Sequence, residues 1–230
     1  MWEGGSEYTY DPDGTAPIIS IASSDSGDSQ ELSIQGLDID GNLTIQLITL
    51  NGTTRVALTT SLWRVFRIFN NGNVDLSGTV FCYTGTGTVP SIGDPEVRAL
   101  INPGNEQTLM CLYTIPIGKV GFLYRGEIGV QLDGNAGSLS EYALWNYKSR
   151  RFGKVFRVKK SGSCMIGGSA VYQDERIFPD PIPALTDIKL NIKTVTQTMG
   201  LWGTFDILLV DEDKLDPNFL IAIGQPTSTS

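Results

Sequence analysis

The chain has 230 residues and no histidine. Histidine is the commonest general base and the commonest metal ligand, so its absence excludes Ser-His-Asp and Cys-His catalysis and every imidazole metal site. Cysteine is scarce too. Cys82, Cys111 and Cys164 are odd in number, far apart and set among apolar or small neighbours, with no CxxC pair. That excludes a dithiol or zinc-ribbon pattern and a disulfide framework, and the three read as buried thiols of a chain folded in a reducing compartment. No apolar run reaches about 18 residues, and the first residues, MWEGGSEYTYDPDG, are acidic rather than basic; neither a membrane span nor an export signal is expected. Charged residues make up 18% of the chain, and 25 acidic against 17 basic side chains leave a net charge of −8. No cofactor, no metal and no enzymatic activity are expected from this composition. Glycoside hydrolysis needs only two carboxylates and survives the lack of histidine, but no such pair stands out.

Turn-forming residues are abundant by contrast, with 26 glycines and 11 prolines. Asp40-Gly41-Asn42, Asn51-Gly52, Asn71-Gly72, Pro103-Gly104, Ile117-Gly118 and Asp133-Gly134 punctuate short runs of Val, Ile, Leu, Thr and aromatics. Such spacing predicts an all-β fold, an antiparallel sandwich of jelly-roll type with about a dozen strands. Leu32, Ile34, Leu37 and Ile39, then Leu43, Ile45 and Leu47, predict a hairpin about Asp40-Gly41-Asn42 with these side chains on one core face. Residues 53–71 also fit helical spacing, yet their β-branched and aromatic content favours strand. Ile34, Ile45, Leu47, Trp63, Cys111, Leu123 and Leu208 are the expected core. Asn42-Leu-Thr44 and Asn51-Gly-Thr53 read as turns rather than glycosylation sites.

Residues 1–30 carry few large apolar side chains and read as an extended arm, residues 31–214 as the sandwich, with a subdomain boundary near 102–106, and residues 215–230 as a tail. The arm's Trp2, Tyr8, Tyr10, Ile18 and Ile19 would be costly to leave in water, and so would Phe219, Leu220, Ile221 and Ile223 in the tail. Both segments are expected to order against a partner, the tail as a strand added to a neighbour's sheet.

Seven of the 17 basic residues, Lys148, Arg150, Arg151, Lys154, Arg157, Lys159 and Lys160, lie within 13 positions that contain no acid. Three readings stay open for them: a solvated strand pair, a contact with an acidic neighbouring subunit, or, ranked last, a nucleic-acid track. Trp145, beside this segment, is the best candidate for an exposed aromatic and so for a glycan platform, whereas Trp63 and Trp202 belong in the core. Asp38, Asp40 and Asn42 resemble the start of a calcium loop, but Thr49 stands where such a loop needs its glutamate, so a turn is expected. Asp174-Glu175 and Asp211-Glu212-Asp213 read as solvated turns.

Two stretches, SIQGLDIDGNLTIQLITLNGTTRV from Ser33 to Val56 and INPGNEQTLMCLYTIPIGKVGFL from Ile101 to Leu123, resemble virion structural proteins of marine tailed bacteriophages. The later FRVKK and FDILLVD strands are spaced similarly. The resemblance implies a β-rich particle component: a capsid decoration, cement or knob-like protein, or else a tail adaptor or fibre-associated protein. It implies a virion location after assembly in the host cytoplasm, with homo-oligomers, a major capsid protein or tail and neck proteins as partners, and no membrane. A carbohydrate-binding module for host glycan is the alternative from another class.

Overall fold

A computed structural model describes residues 2–4, 7–11, 14–132, 141–166, 169–194 and 199–224. The fold is all-β: 58% of the chain is strand, in antiparallel sheets. The chain divides into two compact units between Met110 and Cys111.

The amino-terminal unit is one six-stranded sheet. Its strands are β1 (Ile18–Ser23), β2 (Glu31–Asp38), β3 (Leu43–Thr49), β4 (Val56–Asn70), β5 (Val80–Tyr83) and β6 (Val97–Ile101), in the order β3-β2-β4-β1-β5-β6. The 15-residue β4 pairs with β1 along its first half and with β2 along its second. The sheet curls, so that the Asn70 and Thr108 amides bond to the Glu106 and Ile68 carbonyls and bring the chain beyond β6 back to the end of β4. Its concave face closes on Ile18, Ile21, Leu32, Ile34, Ile48, Leu62, Val65, Ile68, Val80 and Ile101.

Two expectations change in this unit. The described residues of segment 1–30 pack against the rest of the amino-terminal unit instead of standing apart as an arm. Ile18 and Ile21 are buried in a strand at the centre of the sheet, because β-branched residues there are paired on both sides by β4 and β5. Ile19, beside the register shift between Ile18 and Ser20, is partly buried. Upstream, Trp2 packs on the outer-face cluster of Ala22, Phe81, Tyr83, Val97 and Leu100, and its ring meets Tyr8 edge-on at 5.2 Å. Tyr8 is buried, Tyr10 lies against it and under the Arg64 guanidinium, and the Asp11 carbonyl accepts from Trp63 Nε1 and Arg64. The unit's own outer face therefore covers these aromatics.

The hairpin itself forms, with Gly41 at φ 85° and Asp38 Oδ1 accepting from the Asp40 and Asn42 amides in place of any calcium loop. Its second strand is turned over relative to the expected pattern. Leu32, Ile34 and Gly36 stand opposite Ile48, Gln46 and Thr44, so the inward face of β3 is the even-numbered one. Gln46 is satisfied there by the Thr60 backbone, and Ile45 and Leu47 are 63% and 54% exposed. A register shift between Gln35 and Gly36 breaks the alternation that the sequence suggested.

The carboxy-terminal unit is a sandwich. One sheet orders β10 (Arg157–Ile166), β9 (Glu141–Arg151), β12 (Thr186–Thr194) and β7 (Leu112–Thr114), and the other orders β11 (Ser169–Ile182), β8 (Lys119–Leu132) and β13 (Met199–Asp211). Between the carboxy-terminal sheets lie Cys111, Ile128, Val130, Trp145, Tyr147 and Leu190. Leu208 is 57% exposed, because Ile207 and Leu209 are its inward neighbours on β13. Trp202 is also exposed, at 42%, and lies flat over Gly129 of the adjoining strand, where a Cβ would meet the indole at 1.8 Å.

The tail forms a helix, not an added strand. In α1 (Pro217–Ile223) the Asp216 carboxylate caps the Asn218 and Phe219 amides, Pro217 fills the first position and Gly224 closes the end at φ 69°. Phe219 stacks on Phe122 of β8, Leu220 is partly buried and Ile221 is exposed. Asp216→Ala removes the cap and should cost about 1 kcal/mol of local stability. Faster amide exchange confined to residues 217–223 is the expected signature.

Candidate functional site: a basic cleft in the carboxy-terminal sandwich

β9 and β10 form the hairpin that carries the basic segment. Its turn, residues 152–156, reverses at Gly153, whose φ is 66°, with the Lys154 amide bonded to the Arg151 carbonyl. Across the ladder Ser149 faces Arg157 and Lys148 faces Val158, after which a register shift leaves Lys159 as an extra residue before Lys160 meets Tyr147. Bulges of this kind re-aim side chains. Here Arg157 and Lys159 both face a cleft of about 680 Å³, while Val158 points away and is 57% exposed.

The cleft floor is apolar: Leu123, Tyr147, Ile182 and Ile188 are all buried. Its rim is cationic. Lys148, Arg151, Lys154, Arg157 and Lys159 surround it, against one carboxylate, Asp180. Among the described residues, Lys148, Lys154, Arg157 and Lys159 make no ion pair. Arg151 donates to the Ile223 carbonyl, which fixes the last turn of α1 at the cleft edge, and Ile223 itself lines the cleft. A volume in the range of ordinary ligand sites, an apolar floor and convergent unpaired cations suit an anionic group carried on an apolar or extended body.

The other two basic residues of the segment are structural. Arg150 Nε and a terminal nitrogen bond Asp187 Oδ2 at 3.0 and 2.5 Å, Thr114 Oγ1 donates to the other oxygen at 2.6 Å, and Phe156 lies 4.6 Å from both Arg150 and Lys189. Lys160 pairs with Asp174, which is buried within β11 rather than solvated in a turn. Asp211 likewise pairs with Lys119. Phe152 is 49% exposed, so the aromatics between the cations do not pack inward as a set.

Trp145 changes role. It is 2% exposed, packed between Tyr147 and Tyr172 and over Gly162, where a Cβ would meet its ring at 2.6 Å. The inward face of β9 claims it, because Ala143, Trp145 and Tyr147 alternate toward the second sheet. A shallow aromatic groove of about 310 Å³ lies elsewhere on this unit, lined by Tyr113, Tyr124, Phe205 and Asp206. Among the described residues no group of three or more Cys, Asp or Glu side chains could hold a metal ion.

Cys82 and Cys111 are buried, and burial pushes both thiols up to about 12. At pH 8 their thiolate fraction is on the order of one in ten thousand. Neither should react with a maleimide in native protein, and both should react once it is unfolded in urea; the Cys164 side chain lies outside the described residues.

The sequence signals the cations but not the floor. Leu123, Tyr147, Ile182, Ile188 and Asp180 come from β8, β9, β12 and the end of β11, and no spacing in the chain joins them. No protein family, curated protein or solved structure matches this chain.

Proposed function

We propose that the chain is a non-enzymatic structural protein of a tailed-bacteriophage virion, a capsid decoration or knob-like subunit that grips an acidic segment of a neighbouring subunit in its basic cleft. The observation that carries this reading is the concentration of four unpaired cations around one apolar cavity in a chain whose net charge is −8. Exposed charges scattered singly over a protein surface are solvated and need no partner, but a local reversal of sign on an acidic molecule steers and registers an acidic partner. The resemblance of residues 33–56 and 101–123 to phage virion proteins supports the particle as the setting. With the amino-terminal segment folded into its own unit and the tail folded as α1, the contact falls to the Lys148–Lys159 rim rather than to an arm and a strand.

Virion proteins of tail adaptor or fibre-associated type would use the same cleft chemistry. Host-glycan binding draws on a different observation, the shallow groove of Tyr113, Tyr124 and Phe205, since Trp145 is buried. The test is a triple reversal, Lys154→Glu, Arg157→Glu and Lys159→Glu, at exposed side chains that hold no other element in place. Incorporation into purified particles, followed by mass spectrometry, should fall at least about tenfold, with circular dichroism unchanged, and wild-type binding should weaken with salt. Equal incorporation of the variant would overturn the cleft contact, and a positive glycan array with no particle binding would favour the carbohydrate reading.

A further inference from the structure

β3 is the outermost strand of the amino-terminal sheet. Natural edge strands are ordinarily kept from pairing by charge, proline, a bulge or shortness. β3 has none of these: seven residues, LTIQLIT, run without charge or proline and in unbroken register with β2. Leu43, Ile45 and Leu47 are each about half exposed or more, and Ile39 beside them is 60% exposed. Its inward neighbours Gln46 and Ile48 are buried, so only one face of the strand is open.

The direction of its unused backbone groups follows from the hairpin. The Asp38 amide bonds the Asn42 carbonyl and the Leu50 amide bonds the Gln30 carbonyl, at the two ends of a register in which Leu37 faces Leu43 and Glu31 faces Thr49. Hydrogen-bonded pairs alternate along an antiparallel ladder, so the even-numbered residues of β3 are spent on β2. Leu43, Ile45, Leu47 and Thr49 therefore turn their N–H and C=O groups outward, with no partner among the described residues. The residues whose backbone is free are the same ones whose apolar side chains are exposed.

We infer that β3 pairs with β3 of a second copy of this chain, antiparallel about a two-fold axis at Ile45. The segment Leu43-Thr44-Ile45-Gln46-Leu47 is self-complementary in this arrangement: Leu43 meets Leu47, Ile45 meets itself, and three hydrogen-bonded pairs use the outward backbone groups of Leu43, Ile45 and Leu47. Charge points to a second copy as well. Two molecules of charge −8 repel, and they approach at lowest cost along a strand that carries no charge, whereas a partner chosen for opposite charge would be met by an oppositely charged edge. One short strand edge per copy buries less than the roughly 1,200–2,000 Å² of a standard stable interface, so the association is weak and concentration-dependent until assembly multiplies it.

Sedimentation of the full chain over a range of concentrations should give a monomer–dimer equilibrium. Ile45→Lys puts two like charges on the axis and should weaken the dimer by about 100-fold, whereas Leu208→Lys, at an equally exposed leucine of the other unit, should leave it unchanged. Directly opposed residues of a hydrogen-bonded pair lie about 5.5 Å apart at Cα, within disulfide reach. Ile45→Cys should therefore cross-link on oxidation and Leu43→Cys should not, while Leu43→Cys with Leu47→Cys in one chain should. A monomer at every concentration, a dimer indifferent to Ile45→Lys, or cross-linking by Leu43→Cys alone would each overturn the inference. So would β3 amides that gain protection only when a different virion protein is added.

Discussion

Replacing Gly36 by alanine is expected to destabilise the amino-terminal unit by at least about 3 kcal/mol, close to the effect of a badly overpacked core. Gly36 lies in β2 opposite Val65, at the register shift that lets this strand follow the bend of β4. A Cβ there would stand 2.1 Å from the Arg64 carbonyl oxygen and 3.1 Å from its carbon, and both are backbone atoms. A side chain could swing aside. A strand cannot, because β4 is held by β2 on one edge and by β1 and residues 106–108 on the other. Gly87→Ala is the matching control, since nothing lies within 4 Å of a Cβ at that position. Urea unfolding followed by tryptophan fluorescence should separate the two variants, with Gly87→Ala within about 0.5 kcal/mol of wild type.

Asp28→Ala should cost about 2–4 kcal/mol, through three donors left without an acceptor. The Asp28 carboxylate is 1% exposed and accepts from Ser23 Oγ at 2.6 Å, the Ser77 amide at 2.9 Å and the Gly78 amide at 3.0 Å, joining the loop after β1 to the loop before β5. Burial by itself would raise its pKa, but these three hydrogen bonds together hold it below the ordinary aspartate value. The sign follows by linkage. A carboxyl depressed in the folded state contributes stability that is complete above its unfolded pKa, near 4, and is lost as pH falls through the folded value. Wild-type stability should therefore decline more steeply below about pH 4 than that of Asp28→Asn, which lacks the titrating group. Parallel pH profiles for the two proteins would remove Asp28 from the acid response.

The all-β class was legible because turn residues and β-branched runs act locally. The hairpin about Asp40-Gly41 was legible for the same reason. The phase of β3 was not, because both of its faces look acceptable in sequence: Ile48 and a backbone-satisfied Gln46 on one, Leu43, Ile45 and Leu47 on the other. Only pairing with β2, itself shifted at Gly36, decides which face turns inward. The amino-terminal segment misled through composition. Its few isoleucines are enough for one central strand, since β4 and β5 supply the rest of the core around Ile18 and Ile21. At the other end, Asp216-Pro217 and Gly224 are ordinary helix start and stop signals whose message the apolar run Phe219 to Ile223 obscured.

The basic segment was visible as charge and not as a cleft. Sequence counts Arg150 and Lys160 with the rest, yet Asp187 and Asp174, distant along the chain, neutralise them, and among the described residues Lys148, Lys154, Arg157 and Lys159 are left without an ion pair. Trp145 adjoins that charge in sequence, but alternation along β9 sends it inward beside Tyr147.

If, as we propose, the cleft is a socket for an acidic segment of a neighbouring particle subunit, the two must be seen together in the assembled particle. A density map of the intact virion tests it most directly. The expected density shows this chain on the particle surface with a neighbour's Asp- or Glu-bearing segment lying along Lys154, Arg157 and Lys159. A particle without the chain, or one in which that cleft faces open solvent, would contradict it.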